Sequence, residues 1–224
     1  VDVLPAEVLE AGGVSEINQA LSIALPSFNF PRPALNDGTD TIRPATLRGL
    51  GPDQTLVLAN SKRRHAASLV NVNGSIGRGP AAVDMNTIPT AAISAIEVLR
   101  DGASAQYGSD AIAGVINVRL REASSGGNVT ASYGQRETSY DVPTNPFPTN
   151  LGLPAAPSTI SRDRSDGQTS TVSGWIGLPL FTEAGFLTVS AEYKHQEHTE
   201  RSGYDTRQQY AFISGSPSPR EASA

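Results

Sequence analysis

Apolar side chains in this chain follow two different periods. Beyond Gly126 the period is two: Val129, Ala131 and Tyr133 alternate with Thr130, Ser132 and Gly134, and Leu187, Val189, Ala191 and Tyr193 alternate with Thr188, Ser190, Glu192 and Lys194. Alternation of this kind predicts strands with one apolar and one polar face. Between these two runs, Gln168–Leu178 reads as a less regular strand with Val172, Ile176 and Leu178 on one face. An apolar outer set and a polar inner set suit a wall between lipid and an aqueous lumen, and equally suit a soluble β-meander.

Before Gly126 the elements are short and mixed. Val1–Leu4 predicts a strand. Pro5 then stands where a first helical turn accepts it, and Gly12-Gly13 stops the helix. Ser15 is placed to cap a second helix in which Ile17, Ala20, Leu21 and Ala24 share one face, ending before Pro26. Residues 27–45 read as loop from their Pro, Asn, Asp and Gly content. Thr55–Leu58 predicts an apolar strand, Pro89–Ile93 one helical turn, Ala95–Arg100 a strand, Asp101-Gly102 a turn, and Gly114–Leu120 a last strand. The sum is an α+β domain with a small mixed sheet and short helices over 1–121. Residues 122–224 then form about three antiparallel strands.

The connections differ in length. Residues 138–167 hold Pro143, Pro146, Pro148, Pro154 and Pro157 and predict a long loop, whereas Pro179–Gly185 predicts a short turn. Long outer loops alternating with short inner turns are the habit of outer-membrane barrels. On that pattern residues 201–224 enter the next external loop.

Composition then narrows the partners. A formal charge of −5 over 224 residues without a long basic patch argues against nucleic acid. The absence of cysteine removes disulfides and thiolate metal sites. No apolar run approaches the ~18 residues of a membrane helix, which leaves a barrel untouched.

Two motifs carry more information than any of this. One is Thr46-Leu47-Arg48-Gly49-Leu50-Gly51-Pro52-Asp53 leading into Thr55–Leu58. The other runs from Ile96-Glu97-Val98-Leu99-Arg100-Asp101-Gly102 through Tyr107-Gly108 to Gly114–Val118. Together they resemble the plug domain of TonB-dependent outer-membrane receptors, over roughly residues 1–121, and the remainder resembles the first strands of the surrounding barrel. The resemblance implies an outer-membrane importer in a Gram-negative cell, gated by its plug and energised by TonB, taking up a scarce external solute such as a metal chelate. A plugged barrel has about 22 strands, so this segment is expected to be the N-terminal part of a larger receptor. Any export signal and the TonB-contacting segment are expected upstream of residue 1.

In the family, arginines at the positions of Arg48 and Arg100 face the barrel wall and pair with barrel glutamates. The resemblance therefore makes these two the plug–barrel contacts. With the later strands missing, they are expected to be unpaired or to use local acids such as Glu97 or Asp101. Segments 28–43 and 65–83 match the two loops that meet incoming ligand, making Phe28, Phe30, Arg32, His65, Asn71, Asn73 and Arg78 candidate contacts. Asn60-Ser61 stands where the family has an Asn-Gly or Asp-Gly turn, and serine tolerates positive φ less well than glycine.

Other chemistry is thin. Gly49, Gly51, Gly102, Gly108 and Gly114 read as structural, since Gly49-Leu50-Gly51 lacks the third glycine, the lysine and the helix of a phosphate loop. Lys62-Arg63-Arg64-His65 reads as a solvated basic turn. His195, Glu197 and His198 do not suit one metal ion, because strand positions three apart face opposite ways. Gly102–Gln106 is a near miss to a nucleophile elbow around Ser104, without the final glycine or the strand-to-helix context. No catalysis, cofactor or metal site is expected. Two other readings compete with the importer: a stand-alone plug-like binding module followed by a disordered tail, and a secreted hydrolase using Ser104.

Overall fold

The computed structural model describes residues 1–11, 16–29, 41–71, 77–100, 104–143, 159–181 and 185–201. Its first element is strand β1 (Asp2–Pro5), followed by helices α1 (Ala6–Ala11) and α2 (Ile17–Ala24). Pro5 belongs to the strand and not to the first helical turn. It pairs opposite Ala95 on an edge strand, where a residue without an N–H is tolerated. The expected stop at Gly12-Gly13 and cap at Ser15 lie outside the described residues. Helix α2 starts after Glu16, whose carbonyl accepts the amides of Gln19 and Ala20 at 3.1 Å and whose carboxylate meets Arg43 Nε at 3.4 Å. Ile17, Asn18, Ala20 and Leu21 form its buried face.

Within the expected loop, β2 (Phe28–Asn29) pairs antiparallel with β3 (Thr46–Leu47). Strand β4 (Thr55–Ala59) turns into β5 (Lys62–Arg63), and β6 (Ile93–Leu99), a short helix α3 (Ser104–Tyr107) and β7 (Gly114–Leu120) follow. The main sheet has the order β1-β6-β7-β4-β5, antiparallel except for the parallel pair β4 and β7. The central strand β7 and its neighbour β4 are covered on both faces, which is why they read as nearly continuous apolar runs. Val57, Ile116 and Val118 face the main core with Leu21, Leu47, Met85, Ile93 and Ile96, while Leu56, Leu58 and Val115 pack against Ala111 on the other side.

The hairpin joining β4 to β5 has Asn60 at φ 47° and Ser61 at φ 63°. Leu58 opposes Arg63 and Ala59 opposes Lys62, so this is a two-residue turn with both central residues left-handed. A serine therefore occupies the strained position that glycine fills most easily. Side-chain bonds hold it there: Asn117 Oδ1 accepts Ser61 N–H at 2.9 Å, and Asn60 Oδ1 accepts Leu120 N–H at 2.8 Å.

The last three strands, β8 (Gly127–Pro143), β9 (Thr159–Leu180) and β10 (Gly185–Gln196), form an antiparallel sheet in the order β10-β9-β8. They run further than the prolines suggested, for 138–143 and 159–167 are strand, not loop. The reason is that these stretches are held by polar cross-strand bonds, which the proline content of the segment does not register. Ser139 Oγ donates to Asp163 at 2.6 Å, Gly167 N–H donates to His198 O at 3.2 Å, and Arg201 reaches Asp166 and Thr138.

Contacts divide the chain into two compact units, Val1–Ala131 with Thr171–Tyr193, and Ser132–Ser170 with Lys194–Ala224. The first unit thus gathers the mixed sheet together with part of each of the last three strands. Among the described residues no helix is long and apolar enough to cross a membrane, a statement that does not bear on β-barrels.

Candidate functional site

Arg48 and Arg100, 52 residues apart in sequence, are brought side by side. Arg48 lies in the turn after β3, at φ 58° and followed by Gly49 at φ 72°, with Leu50 N–H closing the turn on Leu47 O at 3.0 Å. A left-handed arginine is strained by about 1–2 kcal/mol. The amide of Arg48 is fixed by Ser27 O at 2.8 Å, and its guanidinium donates to the backbone carbonyl of Arg100 at 3.1 Å.

Arg100 follows directly on β6, whose neighbour β1 carries Asp2. The Arg100 guanidinium donates to Asp2 at 2.9 Å and lies 2.7 Å from the second carboxylate oxygen. This corrects the expectation of Glu97 as local partner. Glu97 points along the sheet to β7, where it accepts from Asn117 Nδ2 at 2.8 Å and Arg119 at 3.1 Å. Asp101 lies outside the described residues. Asp2 was missed because an acid at the far end of the sequence gives no local signal of pairing with residue 100. The pairing follows from the antiparallel register that sets Asp2 opposite Val98.

The candidate ligand contacts separate. Phe28 is 3% exposed and packs in the main core, so it supports the sheet and does not meet solute. A large aromatic side chain next to β3 gains more from burial than from exposure at a loop tip. Asn71 is also buried, with neither side-chain polar atom hydrogen-bonded, and its backbone pairs with Pro80 O at 3.0 Å and Gly79 N at 2.7 Å. His65 and Arg78 are exposed. Phe30, Arg32 and Asn73 lie outside the described residues.

The strap carrying these loops is tied from beneath. Asp84 Oδ1 accepts the amides of Arg43 and Asn86 at 3.0 Å, and Asn18 Nδ2 reaches the carbonyls of Arg43 and Pro44 at 3.2 and 2.8 Å. Asn18 reads from sequence as an ordinary helix polar residue. On the buried face of α2, it instead supplies a donor to Pro44 O and a second one to Arg43 O, which already accepts Met85 N–H at 3.0 Å. Arg63 on β5 bonds Asp110 after α3, and this contact holds the Asp110 carboxyl below the usual carboxylate range.

The wall strands present one exposed apolar face. In the first contact unit Val129, Val172, Ile176, Leu178, Leu187, Val189 and Tyr193 all point outward, as the period-two pattern expects. The other face meets the mixed-sheet domain within the first contact unit. Glu192 accepts the amide of Thr90 at 2.9 Å and its hydroxyl, Thr188 bonds both backbone groups of Ala123 at 3.0 and 3.2 Å, and Arg121 lies 4.8 Å over the Trp175 ring. Sequence reasoning singled out none of Thr90, Arg121, Trp175 and Glu192 as contact residues. The available signal was the inward parity of Glu192 and Trp175 on their strands.

Comparison with known proteins agrees with this geometry. The family model described as TonB-dependent Receptor Plug Domain matches residues 1–115. The probable TonB-dependent siderophore receptor PirA of Acinetobacter baumannii is 30% identical over 139 residues, covering 61% of this chain and 18% of that protein. The iron-regulated outer membrane virulence protein of Vibrio cholerae is 30% identical over 176 residues, 74% of this chain and 25% of that protein. The crystal structure of a point mutant of the ferric enterobactin receptor PfeA of Pseudomonas aeruginosa shares the fold, with a TM-score of 0.57 at 21% identity over 87% of this chain and 24% of its own. The matched region thus spans about a fifth to a quarter of each of these proteins.

Proposed function

This chain belongs to the TonB-dependent receptor family through its plug domain, and we propose that it is the plug and first wall strands of an outer-membrane importer for an iron–siderophore chelate. The observation that carries this reading is the combination, in one contact unit, of the plug fold with strands whose far side is a continuous apolar face. A sheet that covers a folded domain on one side and offers Val, Ile, Leu and Tyr on the other suits a barrel wall between plug and lipid.

On this reading the plug fills the lumen at rest. External chelate meets the loops that carry His65 and Arg78. An anionic chelate suits cationic and hydrogen-bonding side chains there. Arg48 and Arg100, held together by their mutual contact and by Asp2, present guanidinium groups to glutamates of later wall strands. TonB, reached through the segment upstream of β1, supplies the work that moves the plug. The siderophore class in the name of the Acinetobacter relative supports an iron chelate as cargo.

The test is uptake of radioactive iron by cells lacking their own siderophore receptors and expressing the receptor that carries this segment. Ferric enterobactin and a ferric hydroxamate are supplied in parallel, with and without TonB. Binding of at least one chelate in both strains, with accumulation confined to the TonB-containing strain, is expected. Accumulation without TonB, or no binding of any chelate, overturns the proposal.

A further inference from the structure

The short turn Thr90–Ala92, which leads into β6, is gripped at both ends by opposite charges. At its start the Glu192 carboxylate on β10 accepts Thr90 N–H at 2.9 Å and the Thr90 hydroxyl. At its end Arg121 donates to the carbonyls of Ala91 and Ile93 at 3.4 and 3.0 Å, and its guanidinium rests on Trp175 of β9. Each charge complements the backbone groups it meets, a carboxylate on donors and a guanidinium on acceptors. Behind the turn, Thr90 and Ile93 line a cavity of about 70 Å³ with Ala6, Leu9, Ile17 and Ala20. The turn is therefore fastened firmly on the wall side and packed loosely on the helix side.

The two halves of this grip differ in how they behave under load. Arg121 directly follows β7 in the chain, so its bonds to the turn join parts of the plug to each other. Its hold on the wall is a ring contact, which is tolerant of sliding. The Glu192–Thr90 bonds span 102 residues and join the plug to the wall directly. They are also charge-assisted and directional, so they are lost by a small displacement. The turn continues into β6, which pairs with β1 over Ala95–Val98, Leu4 opposite Ile96 and Pro5 opposite Ala95. Tension applied to the chain's first strand is thus passed through one strand pair to this turn.

We propose that Glu192 and Arg121 clasp the Thr90–Ala92 turn to the first wall strands, and that the Glu192–Thr90 half is the latch released when the plug moves. The release half rests on the importer reading above; the clasp itself does not.

Hydrogen exchange on the receptor carrying this segment, in outer-membrane vesicles, tests the clasp without reference to transport. In Glu192→Ala the amides of 90–93 are expected to exchange about ten-fold faster, the scale of losing a bond to a charged group. Glu192→Gln, which still accepts from the amide, is expected to fall between. Protection of β6 and β7 reports whether the variant remains folded. If it does not, Thr90→Val, which removes only the hydroxyl bond, is expected to accelerate the same amides without disturbing β6. Unchanged exchange at 90–93 in the folded variants overturns the clasp.

The release half is tested by pairing Thr90→Cys with Glu192→Cys in the receptor and bridging the two thiols with a short, reducible thiol cross-linker, because the contact is made by the carboxylate at the far end of the Glu192 side chain and a direct disulfide would be too short. The cross-linked receptor is expected to bind chelate but not import it until reduced. Import at the parent rate with the cross-link closed overturns the latch. A parent receptor that imports nothing defeats the importer reading and the release half together, while the exchange experiment still judges the clasp.

Discussion

Asn117 Oδ1 accepts the amide proton of Ser61 at 2.9 Å, across 56 residues of chain, while its Nδ2 donates to Glu97. One buried side chain on β7 thus pins a strained hairpin on one side and orients a carboxylate on the other. Ser61→Gly is expected to raise stability by about 1 kcal/mol by relieving the left-handed serine, and Asn117→Ala to lower it by about 1–3 kcal/mol by stranding Ser61 N–H and Glu97. Urea unfolding of the two variants beside the parent measures both.

Gly114 sits at φ 144° where β7 begins, and a β-carbon there would lie 2.4 Å from Leu99 O and 3.0 Å from Leu47 Cδ1. The obstacle is backbone of the neighbouring strand, which does not yield as a flexible side chain does. Gly114→Ala is expected to cost more than about 2 kcal/mol, combining strained φ with displacement of the β6–β7 pair. Gly51, by contrast, has φ −63°, a conformation open to any residue, and a β-carbon there would meet the Asp53 carboxylate oxygen at 2.5 Å, the end of a side chain that can turn away.

Two matched substitutions test the wall. Val172 lies on the exposed apolar face and Thr130 on the opposite parity. Val172→Arg is expected to reduce the amount of assembled outer-membrane receptor, since a cation facing mid-bilayer costs about 2–4 kcal/mol. Thr130→Arg, facing the lumen, is expected to leave assembly near the parent level. Heat-modifiable mobility on electrophoresis reads the folded fraction, and equal assembly of the two variants would count against the lipid-facing assignment.

The Arg63–Asp110 pair gives a pH signature. The Asp110 carboxyl is lowered in the folded state, mainly by its bond to Arg63 and secondarily by Ser109. A lowered carboxylate contributes stability that is present above the ordinary value of 3.8 and is lost as the pH falls through the lower folded value. The stability difference between parent and Asp110→Asn is therefore expected to be constant near neutrality, to start falling as the pH approaches 3.8, and to vanish only below the lower folded value. Both side chains are exposed, so the difference is small.

How much of this was legible without the fold depends on the range of the interaction. Alternation along Leu187–Tyr193 already assigned the outward face of β10, because side-chain direction in a strand repeats every two residues whatever surrounds it. The apolar runs at Thr55–Leu58 and Gly114–Leu120 likewise marked two strands, though not their places in the sheet, and the motif around Arg48 and Arg100 gave the family. The proline content of 138–167 misled on 138–143 and 159–167, where polar cross-strand bonds hold strands that flank the prolines.

The sequence by itself determined the types of the principal elements, the apolar face of α2, the outward faces of β9 and β10, and the family. Each of these rests on local periodicity or on a contiguous motif. Only the tertiary structure decided that Arg48 meets Arg100, that Asp2 and not Glu97 answers Arg100, that Phe28 is core, and that Glu192 caps the turn at Thr90. Those contacts join residues tens of positions apart. They are fixed by strand register and sheet order, which arise from the packing of the whole domain and leave no mark on any short stretch of the chain.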